Sequence, residues 1–271
     1  VLSPASIALA AGSGNETVLV HRRPRVGVLA TGDEVRAAGR ALGPAGIPDA
    51  NGPGLSALAE EAGAQAFNLG IAADRVEDVR ARIAIARSGD VDAVIVSGGV
   101  SVGPYDVVRA AFAEIGRIEL WRVAVQPGKP FAFGVVDRPD GARTLLFGLP
   151  GNPVSSFVTF ELFVRPAIRR LAGLPVARLV RSPDRAVLLD PASKGAGRRA
   201  FLRVVAERDE GGGAARDGEG RVRVRLAGGG RGQGSHVLSA LAMADALAIV
   251  PENVDRLEAG SPVDLWWLDH D

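Results

Sequence analysis

Asp92–Asp106 reads D-A-V-I-V-S-G-G-V-S-V-G-P-Y-D, and this stretch decides the fold. Its first six residues form a short apolar, β-branched run, the pattern of a strand buried on both faces in a parallel sheet. Ser97–Asp106 follow as a glycine turn. Beyond the turn, Val107, Val108, Ala111, Phe112 and Ile115 fall at helical spacing. Strand, glycine turn and helix in that order make one unit of an open α/β sheet, whose ligands bind beyond the carboxyl ends of the strands. Gly98, Gly99 and Gly103 let backbone N–H groups approach an anion with no Cβ in the way. Asp106 stands at the mouth of the turn, where a carboxylate can hold a metal or orient water. Taken alone, the same residues are also explained by a tight turn and a helix cap.

Similar units lie on either side. Val26–Ala30 reads as a strand ending in Thr31-Gly32-Asp33-Glu34, a turn with two adjacent acids. Arg36–Ala50 reads as loop or short hairpin. Asn51 is placed to cap a helix carrying Leu55, Leu58 and Ala62 on one face, with Pro53 in its first turn. Gln65–Ile71 is the next strand, and Asp74 and Glu77 resemble the capping box of the helix that follows. Glu119–Val125 reads as a strand and Gln126–Pro130 as a turn. Phe131–Val136 and Thr144–Leu149 flank Pro139-Asp140-Gly141 as a hairpin. Val154–Leu171 is a long apolar helix that Pro166 should kink or divide. These units predict an α/β fold, a mostly parallel sheet with helices on both faces in three layers.

After Gly173-Leu174-Pro175 the pattern changes. Arg185–Leu189, Ala200–Ala206, Arg221–Leu226, Ala246–Val250 and Val263–Leu268 are short strand-like runs, with Glu210–Gly220 a flexible hairpin tip by composition. They predict a small all-β domain, sandwich or partly open barrel. Val1–Arg25, an apolar-periodic piece and then V-L-V-H-R-R-P, reads as a helix and strand belonging to something upstream. The expected division is residues 1–24, 25–175 and 176–271.

A net charge of +1 argues against a nucleic-acid or membrane-surface partner. With no cysteine there are no disulfides or thiolate metal sites, which suits a cytoplasmic protein. The three histidines show no zinc spacing. No apolar run approaches the ~20 residues of a membrane span. No G-x-x-x-x-G-K-[ST] is present, and no G-x-G-x-x-G follows a strand, so neither a P-loop NTPase nor a dinucleotide oxidoreductase is indicated.

Four segments fall at carboxyl ends of strands: Thr31–Glu34, Ser97–Asp106, Gln126–Pro130 and Pro150–Ser156. In a doubly wound sheet they share one rim. Pro150–Ser156 opens a helix, so its early N–H groups and the Ser155 and Ser156 hydroxyls suit a phosphate. Lys129, between two prolines, is a fixed cation for an oxyanion or phosphate. Asp33, Glu34, Asp49 and Asp106 are oxygen ligands of the kind Mg²⁺ uses. Capping and surface exposure would account for each of them singly. Together they fit a phosphorylated ligand with a divalent metal better than a hydrophobic one.

With those residues in view, the chain resembles the MoeA/gephyrin E-domain family, the molybdopterin molybdenumtransferases. The matching strings are V-L-A-T-G-D-E-V from Val28, I-P-D-A-N from Ile47, V-I-V-S-G-G-V-S-V-G-P-Y-D from Val94, Q-P-G-K-P-F-A-F-G from Gln126 and F-G-L-P-G-N-P-V-S-S from Phe147. G-R-R-A-F-L-R-V from Gly197 and G-Q-G-S-H-V-L-S-A-L-A from Gly232 match in the β domain. The resemblance implies insertion of molybdenum from molybdate into adenylylated molybdopterin, with Mg²⁺ and release of AMP. It makes Glu34, Asp49 and Asp106 the acids for metal and for catalysis, with Lys129 the anion contact. It assigns Thr31, Gly32, Asp33, Ser97, Gly98, Gly99, Ser101 and Gly103 to the pterin nucleotide, together with Pro127, Gly128, Pro150, Gly151, Asn152 and Ser155. Arg198 or Arg199, with Ser235, becomes the small domain's contribution to the same cleft. A homodimer of the full-length protein and a contact with the molybdopterin adenylyltransferase are implied as partners. Family members often carry Lys where this chain has Gln126, a departure expected to weaken anion affinity. They also carry further domains ahead of this chain's first residue, so this chain alone is expected to bind the nucleotide and to be weakly active or inactive. Two other readings stand beside this one: a molybdopterin adenylyltransferase, and a non-catalytic scaffold of gephyrin type.

Overall fold

The computed structural model describes residues 2–88, 90–99, 107–138 and 140–268. In chain order, α1 (Pro4–Gly12) precedes β1 (Arg25–Thr31), the short β2 (Val35–Arg36) and β3 (Ile47–Pro48), α2 (Asn51–Glu61), β4 (Gln65–Ala72) and α3 (Val76–Ser88). Next come β5 (Ala93–Ser97), α4 (Val107–Ile115), β6 (Arg117–Arg122), β7 (Val125–Gln126), β8 (Pro130–Asp137), β9 (Arg143–Leu149), α5 (Pro153–Thr159) and α6 (Arg165–Leu171). The remainder is β10 (Pro183–Leu188), β11 (Ala192–Ser193), β12 (Arg199–Ala206), β13 (Val222–Leu226), α7 (Leu238–Ala242), β14 (Ala246–Val250), β15 (Arg256–Leu257) and β16 (Ser261–Trp267).

The first sheet has the order β4-β1-β5-β9-β8-β6. Its β4–β1, β1–β5 and β5–β9 pairs are parallel, while β8–β9 and β6–β8 are antiparallel. The sheet is therefore mixed: the hairpin after β7 adds an antiparallel edge to a parallel centre. Every residue of β5 is buried, as its unbroken β-branched run requires. Leu55, Leu58, Phe160 and Ile168 of α2 and the α5–α6 segment pack on one face. Val79, Ile83, Val108 and Phe112 of α3 and α4 cover the other. From β1 the chain goes first to one side, into β4, and then to the other, into β5. The crevice of a doubly wound sheet opens at that reversal, beyond Thr31 and Ser97.

Pro166 exerts its effect one turn early. A π-helical segment, Phe160–Val164, separates α5 from α6. Proline lacks the N–H that would close an α-turn and crowds the carbonyl four residues back, and a wider turn relieves both.

The second sheet runs β13-β10-β16-β14-β12, and β12 also pairs with β13. The five strands return on themselves as a small barrel around Leu188, Val204, Val224, Ala248 and Leu265. Closure removes exposed edges, which settles the sandwich or open-barrel alternatives. Val125–Gln126 pairs in parallel with Arg199–Ala200, so a piece of the preceding α/β part extends the barrel sheet. Phe201, Leu247 and Leu268 of the barrel pack with Val158 of α5 to seal the two parts together. The polar tip at 210–220 is two successive tight turns closed at Arg208–Ala214 and Arg216–Val222. Asp209 and Asp217 accept from backbone N–H groups inside those turns.

Ahead of β1 the expectation is half met. The helix forms, with no residue buried, but residues 17–24 are not a strand. V-L-V-H-R-R has no neighbouring strand to bond, and Leu19 is fully exposed. Arg22 fastens the end of this segment to Asp92 with two bonds of 2.6 and 2.7 Å.

Candidate active site

Strand ends β1, β5 and β9 meet above the crevice. Gly98 donates its N–H to Leu149 O at 3.1 Å. Gly98 and Gly99 have φ of +94° and +62°, and a Cβ on Gly98 would lie 2.5 Å from Thr31 O. The two glycines are needed both for conformation and for the close approach of β1 and β5. Asn51 then ties three segments together. Its Nδ2 donates to Ser97 Oγ at 2.6 Å and to Gly151 O at 2.7 Å. It is not the helix cap expected of it: Asp49 Oδ1 accepts from Gly52 N–H at 2.8 Å and does that work. Ser97 Oγ in turn donates to Pro150 O at 3.3 Å.

These segments enclose a cavity of about 520 Å³, lined by Thr31, Gly32, Glu34, Asp49, Asn51, Asp74, Ser97–Gly99, Pro150–Pro153, Ser155 and His236. Among the described residues its titratable side chains are three carboxylates and one histidine, with no Lys or Arg. Burial, with Glu34 and Asp33 nearby, pushes the Asp74 carboxyl above the usual carboxylate value. Thr31 Oγ1 is buried and has no hydrogen-bond partner among the described residues.

A second cavity, about 570 Å³, lies between the sheet and the barrel, lined by Gln126–Pro130, Ser155, Arg198, Arg203 and Gln233–Ser235. Among the described residues its charged side chains are Lys129, Arg198 and Arg203, with no acid. The cavities share Pro130 and Ser155, so they form one cleft with an acidic half and a basic half. The barrel is held against it by two bonds to the loop before α5: Asn152 Nδ2 donates to Ser235 Oγ at 3.1 Å, and Val154 N–H to Ser235 O at 3.2 Å.

A family model described as "Probable molybdopterin binding domain" matches residues 27–170. The chain belongs to the molybdopterin-binding domain family. A second model, "MoeA C-terminal region (domain IV)", matches residues 185–268, the barrel. Among curated relatives, molybdopterin molybdenumtransferase 1 of Mycobacterium tuberculosis is 35% identical over 99% of this chain and 60% of its own length. Gephyrin of Dictyostelium discoideum is 30% identical over 96% of this chain and 38% of its own. A solved molybdopterin biosynthesis MoeA protein from Pyrococcus horikoshii superposes with a TM-score of 0.74 at 30% identity, covering 97% of this chain and 59% of that one. This member of the family thus spans about three-fifths of the length of the first relatives it matches.

Most of the sequence-predicted residues line the cleft. Thr31, Gly32, Glu34, Asp49, Ser97, Gly98, Gly99, Pro150, Gly151, Asn152 and Ser155 fall in the acidic half. Pro127, Gly128, Lys129, Arg198 and Ser235 fall in the basic half. Ser101, Gly103 and Asp106 lie outside the described residues. Of the Arg198–Arg199 pair, Arg198, in the bend before β12, faces the cleft, and Arg199, the first residue of β12, turns away to Glu252 at 3.2 Å. Asp33 stands back, accepting from Asp74 N–H at 3.1 Å. Ser156 is buried and donates to Pro150 O. Pro153 has no N–H and Val154 gives its own to Ser235, so these two early helical positions drop out of the phosphate contacts expected of Pro150–Ser156. Gln126, instead of supplying charge, accepts from Gly195 N–H at 3.1 Å.

Asp74, His236, Arg203 and Gln233 are cleft residues the sequence reading passed over. Asp74 follows the carboxyl end of β4, so the rim rule points to it as much as to Asp33. An arginine inside the apolar run F-L-R-V-V is the visible sign of Arg203. Among the described residues no group of three or more metal-ligating side chains converges. Glu34 and Asp49 alone supply one or two carboxylates, the number Mg²⁺ commonly takes alongside phosphate oxygens.

Proposed function

We propose that the cleft binds a molybdopterin nucleotide across the junction of its two halves. In the whole protein, molybdenum passes there from molybdate to adenylylated molybdopterin with release of AMP. The division of charge carries this reading. A tetrahedral oxyanion is attracted to Lys129 and Arg198, with Ser235 a hydroxyl donor beside them. A phosphate cannot approach Glu34, Asp49 and Asp74 without a counter-cation, which gives Mg²⁺ its place on Glu34 and Asp49. When bound, Mg²⁺ neutralises phosphate oxygens and so eases cleavage of the phosphoanhydride. Ser155, shared by the two halves, and Thr31 of the acidic half supply neutral hydroxyls for hydrogen bonds. Asp33 and Asp106 belong to the reading on sequence grounds alone. The homodimer, the contact with the adenylyltransferase and a cytoplasmic location are part of the proposal on sequence grounds. No helix among the described residues is long and apolar enough to cross a membrane.

An adenylyltransferase would leave the barrel-built basic half without a role, and a pure scaffold would leave both charged halves without one. The test is binding of AMP and of molybdate to this chain, with and without Mg²⁺, followed by product analysis in the whole protein. Lys129→Ala and Arg198→Ala should each weaken molybdate binding about tenfold, the worth of one charge-assisted contact, and leave AMP binding nearly unchanged. Pyrophosphate release from ATP, or undiminished molybdate affinity in both variants, would refute the proposal.

A further inference from the structure

We infer that Arg203 is a positioning residue for Ser235: together with Gln233 it forms a buried clamp that sets the loop closing the basic half. The inference rests on reading that half as an oxyanion site.

The loop needs such a clamp. Five of the seven residues 228–234 are glycine, the composition with the most backbone freedom to lose on ordering. Gly228 and Gly229 have φ of +66° and +63°. Gly232 is so close to Ala227 O that it has no space for a Cβ. No side chain of these glycines can hold the turn. Arg203 does so from β12: its Nη2 donates to Gly232 O at 2.8 Å and to Gly234 O at 3.2 Å, gripping the residues on both sides of Gln233. Gln233 completes the grip from the loop. Its Oε1 accepts from Arg203 N–H at 3.0 Å, and its Nε2 donates to Arg203 O at 3.0 Å and Ala227 O at 3.2 Å. The next residue is Ser235, fixed in turn to Asn152 and Val154.

Arg203 has no acidic partner among the described residues. It is 1% exposed, and burial alone lowers its pKa to about 10. It still carries its charge near neutrality, and an isolated buried charge is costly to keep. An apolar side chain of similar volume would fill the strand position without that cost, but it would take the Arg203 donor from Gly232 O and leave Gly234 O only its bond from Val237 N–H. The grip on these two carbonyls is what the arginine provides there.

The experiment uses the whole chain with sodium molybdate as probe, at fixed ionic strength, in Arg203→Met, Ser235→Ala and the double variant. Amide hydrogen exchange is followed at Gly232 and Val237, whose N–H groups bond inside the loop. Arg203→Met should accelerate both amides and weaken molybdate binding about tenfold, as expected of a displaced ligand contact. The double variant should bind no more than about twofold weaker than Ser235→Ala, the non-additivity of residues acting through one another. Arg203→Lys, which keeps the charge and loses the fork, should recover only part. Unchanged exchange in Arg203→Met overturns the clamp; losses that multiply in the double variant overturn its action through Ser235. If Arg203→Met does not fold, Gln233→Leu removes the clamp from the loop side and is read in the same way. If molybdate fails to bind the unaltered chain, or Lys129→Ala and Arg198→Ala both bind it equally well, the oxyanion reading fails, while the exchange result still decides the clamp.

Discussion

Replacing Asn51 with alanine tests whether the rim is braced as the structure indicates. The side chain contributes two hydrogen bonds, to Ser97 Oγ at 2.6 Å and to Gly151 O at 2.7 Å. Each is worth about 0.5–1.5 kcal/mol net. Gly151 is exposed, so its carbonyl regains water after truncation, and Ser97 Oγ keeps its bond to Pro150 O. Neither partner is left with a full desolvation penalty. The expected destabilisation is therefore about 1–3 kcal/mol. For a chain of this size that is a fall in Tm of roughly 2–4 °C per kcal/mol. Asn51 makes no contribution to the α2 cap, so helix content should be unchanged. The effect on ligand should exceed the effect on stability, because three segments of the acidic half lose their common tie. Far-ultraviolet circular dichroism, thermal melting and AMP titration on the same samples measure all three. An Asn51→Ala variant with unaltered AMP affinity would refute the bracing argument even if its Tm fell. An unaltered Tm would refute the energetic one.

Other perturbations give sharper signs than sizes. Gly98→Ala places a Cβ against Thr31 O at a φ of +94°, so both strain and clash act; thermal melting should show a loss of about 3 kcal/mol or more, or no folded protein. Gln126→Lys adds a cation to the basic half and removes the acceptor of Gly195 N–H. Molybdate titration should show tighter binding while denaturant melts show about 1 kcal/mol less stability. The Asp74 carboxyl is raised above its usual value, so the folded state favours its protonated form. The resulting stability is present at low pH and lost as pH rises through the folded value. Asp74→Asn should therefore gain in Tm over the unaltered chain as pH is raised from 4 to 7, and a constant difference across that range would contradict the assigned cause.

Much of this arrangement was legible in the residues. The buried run at Asp92–Ser97 and the glycines after it located the central strand and its ligand-facing end, because few other structures tolerate that composition. The five barrel strands of the β domain were readable to within two residues, since each is a short run set between turn residues, while the two-residue β11 and β15 were not. Ala246–Val250 is the clearest case. What escaped depended on partners distant in sequence. Asn51 looks like a cap until Ser97 and Gly151 stand beside it. Asp49 looks like a cleft acid alone until the bond from Gly52 N–H to its Oδ1 shows that it also holds the start of α2. Val18–Val20 has the composition of a strand and no neighbour to pair with. Arg203 is a charge inside the apolar run Phe201–Val205, and the glycine loop above it explains why it is there.

The pairing of Val125–Gln126 with Arg199–Ala200 has a consequence for dissecting or recombining this protein. Two residues of the α/β part extend the barrel sheet, and Gln126 holds Gly195. A cut near residue 175 would strip β12 of a neighbouring strand and leave a raw edge on each piece. A barrel transplanted from a relative would inherit its own β12 but not the strip that borders it. The exchange should succeed only when that strip travels with the graft.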